Sequence, residues 1–355
     1  MPELDRAERE LLQELLCAYG PGGHEDAVRA VCRRELEPVA DETWVDAAGN
    51  LIGRFGGDPG RPAVRVLAHM DELAMLVKRI GADGSLHLTP LGTMYPANFG
   101  LGPVAILGRY ATITGVLALG SEHTTAESPR IWRTKPGPGG HAMDWPDVYV
   151  FTGRTAAELT ECGVRPGTRV CVDASKRTLV EFAGHLGCYF MDDRACVTAL
   201  LMAARRLRAR RTALPAEVYL VFTTNEEVGG VGGSYAARTL PGDITVALEV
   251  GPTEAEYTTT VEDGPIVAYS DAQCVYDTRV ADRLMDIATE RGLHPQAAVL
   301  GAFESDASHA KASGLSARAG MLCLPTLSTH GYEVIARPAI PAMTEVIVEF
   351  LTSVS

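Results

Sequence analysis

Two adjacent carboxylates, Glu226 and Glu227, stand where the apolar run 218–222 gives way to Val228-Gly229-Gly230. The run reads as a buried strand and the glycines as the turn that follows it. Burying one carboxylate without a partner is expensive, and an adjacent pair is worse, because each charge raises the cost of the other. Such a pair needs cations, and a metal site supplies them. Four further segments carry metal-capable side chains beside predicted strands or helices: Ala68-His69-Met70-Asp71-Glu72, Met191-Asp192-Asp193-Arg194, Glu249 after 244–248, and Ser328-Thr329-His330-Gly331 after 317–324. Each is weak alone. A single His at a strand end is more often structural, an Asp before a helix is usually its N-cap, and a Glu pair is usually solvated. Together they bring two histidines and at least three carboxylates to strand ends. Oxygen and imidazole donors suit zinc, cobalt or manganese, and a carboxylate shared by two ions is the architecture of a two-metal hydrolase.

The elements that must position these groups are legible as periodicities. Leu4, Ala7, Leu11, Leu12, Leu15 and Tyr19 recur at helical spacing up to Gly20, and a second helix is expected over 24–36. Short strands are expected at 42–45, 51–55 and 64–68. From 74 to 182 the chain turns to short β-like runs broken by glycine and proline, with one helix at 155–162 and a mobile loop at 134–140. From Asp192 onward strands alternate with helices again. The fold class expected is α/β, with a mostly parallel central sheet, helices on both faces and an inserted small β-barrel. The domains are 1–73 with 183–355 for the α/β part and 74–182 for the insert. In such sheets, sites form beyond the carboxyl ends of the strands.

At 355 residues the chain is long enough for a large core and a second module. Lys and Arg total 32 against 45 Asp and Glu, a net charge of −13, which disfavours nucleic acid or an anionic membrane as a partner. The N-terminus has no basic region followed by an apolar one, and no stretch approaches the ~20 apolar residues of a membrane helix. Eight cysteines form no Cys-x-x-Cys pair and read as small buried residues of a reducing cytosol, so the expected location is cytoplasmic. A dinucleotide fingerprint starting at Gly230 would need glycine at 235, where Tyr235 stands. A glycoside hydrolase would leave His69 and His330 without a role.

The ordered set Ala68-His69-Met70-Asp71-Glu72, Asp192-Asp193-Arg194, Glu226-Glu227-Val228-Gly229 and His330-Gly331-Tyr332-Glu333-Val334 resembles the tetrahedral aminopeptidases. These are cytosolic dizinc exopeptidases, among them glutamyl and deblocking aminopeptidases and cellulase-M-like peptidases. The resemblance covers nearly the whole chain, insert included. It implies two divalent ions per chain, zinc first, with cobalt or manganese open. His69 resembles the terminal ligand of one metal, Asp192 the bridging carboxylate, Glu227 the carboxylate on the second metal and His330 its imidazole. Glu226 resembles the general base, Asp71 the partner that fixes the His69 tautomer, and Ser305-Asp306-Ala307 a motif lining the site. A homo-oligomer is implied, either a dimer or a tetrahedral dodecamer, with the insert contributing to assembly. Glu249 departs from the pattern, since the family usually has Asp there. Ligation is unaffected, but in the wider clan Glu at this place accompanies carboxypeptidases and deacylases. The expected function is removal of N-terminal residues from short peptides through a water activated by two metals. The alternative is a dizinc carboxypeptidase or N-acyl amidohydrolase on small dipeptide-like substrates.

Overall fold

The computed structural model describes residues 3–137, 140–210 and 214–353. In chain order its strands are β1 (Glu42–Val45), β2 (Leu51–Phe55), β3 (Val64–His69), β4 (Ala74–Ile80), β5 (Leu86–Leu91), β6 (Gly102–Leu107), β7 (Thr112–Ala118), β8 (Tyr149–Phe151), β9 (Arg169–Val172), β10 (Val180–Phe182), β11 (His185–Tyr189), β12 (Val218–Thr223), β13 (Ile244–Pro252), β14 (Ile266–Ser270), β15 (Gln296–Val299), β16 (Arg318–Leu327) and β17 (Tyr332–Ala336). The helices are α1 (Arg6–Cys17), α2 (Asp26–Leu36), α3 (Pro96–Phe99), α4 (Pro129–Trp132), α5 (Ala156–Glu161), α6 (Met191–Arg210), α7 (Val231–Thr239), α8 (Thr278–Glu290), α9 (Asp306–Ala312) and α10 (Ala339–Ser353).

The chain divides into two compact units. One comprises Met1–Glu72 and Leu179–Ser355, the other Leu73–Thr178. In the second unit β4, β5, β8, β7, β6 and β9 close into an antiparallel barrel. Val77, Leu86, Ile106 and Val150 are buried in it. Helix α5 begins where expected because Thr155 and Glu158 form a reciprocal capping box. In the expected loop at 134–140, Pro138 and Gly139 lie outside the described residues.

In the first unit, strands follow the order β1-β2-β12-β3-β13-β16-β17-β11-β10, with β14 and β15 branching from β16. The expected parallel core is its centre: β12, β3, β13 and β16 run parallel. Antiparallel strands flank them, so the sheet as a whole is mixed. All six residues of β3 and of β12 are buried. A strand covered on both faces needs apolar residues at successive positions rather than alternate ones, and this is why these two were visible as continuous runs. Residues 180–182 were expected within the insert but pair with β11 at the edge of this sheet. A β-like run does not encode which sheet it joins. Helix α1 starts on a capping box between Asp5 and Glu8 and buries Leu11, Leu12, Leu15 and Leu16 in the main core. Helix α6, apolar on most sides, is buried along much of its length. Among the described residues no helix is long and apolar enough to cross a membrane.

The sheet register fixes the level of the chemistry-bearing residues. Thr223 of β12 pairs with His69 at the end of β3, and Ala247 of β13 pairs with Leu67. His69 and Glu249 each lie two residues beyond that last pair, so their side chains emerge on one face at one level. Glu249 does not end its strand as expected, because β13 continues to Pro252 beside β16.

Arg194, two residues after Asp192, is fully buried. Its Nη2 meets Glu72 Oε2 at 2.8 Å, its Nε donates to Leu15 O at 3.2 Å, and its Nη1 donates to Met70 O. One guanidinium thus joins the end of α1, the start of α6 and the segment leaving β3. Breaking a buried pair by removing one partner costs far more than the pair itself contributes. Arg194→Ala is therefore expected to destabilise the protein by about 3–5 kcal/mol, measured as a lower urea midpoint. An unchanged midpoint would show that Arg194 is not holding these elements together.

Candidate metal centre

His69, Asp192, Glu227, Glu249 and His330 come together in the α/β unit. Asp192 lies between the two histidines. Its Oδ1 is 3.0 Å from His69 Nε2 and its Oδ2 is 3.5 Å from His330 Nε2. Glu249 Oε2 lies 3.8 Å from His69 Nε2, and Glu227 Oε2 lies 3.8 Å from His330 Nε2. The donor atoms form two groups, each within 4.8 Å internally: His69, Asp192, Asp193 and Glu249 in one, and Asp192, Glu227 and His330 in the other. Asp192 belongs to both.

A divalent cation suits this donor set. Glu227 Oε1 is buried and has no hydrogen-bond partner. Without a cation, burial and the surrounding carboxylates push Glu227 well above the ordinary carboxyl range, and burial with Glu226 does the same to Glu249. Burial alone would lower the His69 pKa, but Asp193, Asp192 and Asp71 outweigh it and raise it far above the usual imidazole value. For Asp192 burial acts to raise the pKa, but His69, His330 and Arg194 overcome it and the pKa falls. Charges crowded this closely call for a counter-ion in their midst.

The ligand segments are held by other side chains. His69 Nδ1 faces the main-chain oxygen of Asp71 at 3.2 Å, and the Asp71 carboxylate at 3.6 Å. An Nδ1–H donated there leaves the Nε2 lone pair toward Asp192. The Asp71 carboxylate also accepts the Glu226 N–H at 2.9 Å and the Glu227 N–H at 3.2 Å. Asp71 thus orients both glutamates as well as the imidazole. Glu226 belongs to neither donor group, yet it raises the Glu249 pKa more than any other neighbouring charge does.

The turn after β12 is built for close approach. Asn225 takes φ 53°, and Gly229 and Gly230 take φ 110° and 60°. A Cβ on Gly230 would lie 2.5 Å from the His309 ring, and one on Gly232 would lie 2.3 Å from Thr224 O. Asn50 spans the turn, accepting from Thr224 N and donating to Gly232 O. Asp306 accepts from Thr223 Oγ1 and from Gly233 N at 3.2 Å, and burial raises its pKa to about 6. His309 pairs with Glu304 at 3.0 Å.

Three residues matter here that the sequence did not single out for such work. Asn50 lies between the expected strands 42–45 and 51–55, where nothing in the spacing gives it a role at the site. Asp193, whose expected role was helix capping, has non-helical backbone and accepts the His69 N–H at 2.9 Å. Glu333 was visible as the last acidic residue of a His-x-x-Glu pattern, a signal for its presence but not for its bonds.

Residues 49–346 match the family of M42 glutamyl aminopeptidases. This is most of the chain, and the chain belongs to that family. Both groups of metal-capable side chains lie within the matched residues. A lysyl aminopeptidase of Pyrococcus furiosus is 28% identical over 247 residues, covering 68% of this chain and 66% of the relative. The match thus spans just under two thirds of that relative's length. The TET aminopeptidase of a marine-sediment Thaumarchaeota archaeon superposes with a TM-score of 0.88 at 22% identity, over 98% of this chain and 97% of that one. The TET1 peptidase of Pyrococcus horikoshii, which can assemble into a tetrahedron or a large octahedral shell, gives 0.86 at 23%, over 98% and 100%. These two share the fold.

Proposed function

We propose that this chain is a two-metal aminopeptidase that removes N-terminal residues from short peptides. The observation that carries the reading is Asp192, with one carboxylate oxygen toward His69 and the other toward His330. His69, Asp192 and Glu249 would hold one ion, and Asp192, Glu227 and His330 the other. Zinc is the ion proposed, and the same donors accept cobalt or manganese. When bound, the pair supplies Lewis acidity that polarises the scissile carbonyl and lowers the pKa of the attacking water to about 7. Glu226 takes the proton from that water and delivers it to the leaving amine nitrogen. Asp71 holds Glu226 in place through the Glu226 N–H. The excess of acidic over basic residues suits the free α-ammonium of a peptide. We place the enzyme in the cytoplasm, in accord with eight cysteines that form no Cys-x-x-Cys pair. We also propose a homo-oligomer, a dimer or a larger closed particle, on the likeness to the TET peptidases.

Protein reloaded with zinc, cobalt or manganese is expected to hold close to two ions per chain by elemental analysis. Glu226→Gln should keep both and lose roughly 10²–10⁴-fold in turnover, whereas Glu227→Gln should lose metal. Loss of metal from the first and retention in the second would reverse the two roles.

Substrate polarity is tested with a free dipeptide amide, its N-acetylated form and an N-blocked peptide with a free carboxyl terminus. Cleavage of the free dipeptide amide alone is the expected result. Cleavage confined to the blocked substrates would make the enzyme an acyl-amide hydrolase or a carboxypeptidase. Glu249→Asp should retain metal and shift the preference among the three.

Light scattering at micromolar concentration is expected to give a multiple of the single-chain mass. A monomer alone would exclude the assembly.

A further inference from the structure

Glu333 is buried, 1% exposed, and belongs to neither donor group. Each of its carboxylate oxygens accepts one backbone N–H: Oε2 from Asp192 at 3.0 Å and Oε1 from His330 at 3.0 Å. These two residues are distant in sequence, and both supply donors to the same group. Glu333 lies on β17 opposite Cys188 of β11, the strand whose continuation leads into Asp192. One side chain thus joins the turn before β17 to the segment after β11. His330 itself is held at φ 59°, with Ser328 at 60°, in the left-handed region that side chains rarely adopt. Such backbone persists only where its surroundings over-determine it. The bond from His330 N to Glu333 is one such constraint. A buried carboxylate that merely filled space would be better replaced by an apolar side chain of equal volume.

We infer that Glu333 is a positioning residue that sets the spacing between Asp192 and His330, and so governs retention of the ion those two residues share with Glu227. The inference rests on the two-metal reading above. It concerns that ion above the other, because Glu333 bonds two of its three ligands, Asp192 and His330, but only the shared Asp192 of the other's, making no hydrogen bond to His69 or Glu249.

The decisive variant is Glu333→Gln. It preserves shape and one acceptor oxygen, but its amide nitrogen cannot accept, so one of the two N–H groups loses its partner. Parent and variant are loaded with zinc, titrated with chelator and assayed for bound ions, with far-UV circular dichroism of the metal-free proteins as the control for folding. The parent is expected to hold two ions. The variant is expected to release one of them at a chelator concentration about 10–100-fold lower, the range found for partners behind metal ligands, and to hold the other as the parent does. His330→Ala should lose the same ion, and adding Glu333→Gln to it should change ion retention no further. If Glu333→Gln fails to fold, Glu333→Asp, which keeps the charge but reaches only one N–H, should show the selective loss. Retention of both ions with parental affinity, or parallel loss of both, would overturn the inference. A parent that takes up no second ion would instead overturn the two-metal reading itself.

Discussion

Carboxylates gathered in a space poor in water repel one another, and the site is organised around that repulsion. Asp192, Glu227 and Glu249 point their oxygens toward common centres, with burial raising the cost of each charge. They stay there because a second set of acidic side chains secures the backbone behind them. Asp71 accepts from Glu226 and Glu227, Asp193 from His69, Asp306 from Gly233, and Glu333 from Asp192 and His330. Acceptors of this kind can be negative because backbone N–H groups are donors only. The architecture therefore answers crowded negative charge with fixed dipoles behind and leaves the space in front to cations.

The sequence revealed what burial on both faces makes conspicuous. Strands β3 and β12 are continuous apolar runs because they lie in the parallel middle of the sheet, and the residues that end or follow them were legible for the same reason. Of the short flanking strands, β1 and β2 were expected at 42–45 and 51–55, but β11 and β17 were not. β11 and β17 carry mixed residues, are stabilised by pairing with each other, and have no pattern of their own. Helix α7 begins at Val231 and so carries Gly232 and Gly233 in its first turn; these lack helical propensity but are required there by the contacts of Thr224 and Asp306.

The metal-capable side chains were easier to find than the groups that aim them. A ligand is recognised by residue type at a strand end. A supporting carboxylate is recognised only by the backbone N–H it reaches, and that pairing exists in three dimensions alone. Asp193 shows the difference. Its place at the non-helical start of α6 fits the general rule for helix caps, but its Oδ2 accepts from His69 instead. Asn50 is similar, since its role at the turn after β12 depends on a crossing between β2 and β12 that local spacing does not contain.

The donors come from β3, the start of α6, the turn after β12, β13 and the turn before β17, so no local stretch of chain can bind an ion in the arrangement described. His69 and Asp192 are separated by the whole of the barrel segment, and His330 enters only after β16 has been laid beside β13. Joining positions so remote carries a loop-closure cost that only the completed sheet offsets. A cation bound there would accordingly be a late arrival in the life of the chain: it could not template the folding, and its uptake would report that β3, β12, β13 and β16 have found their register.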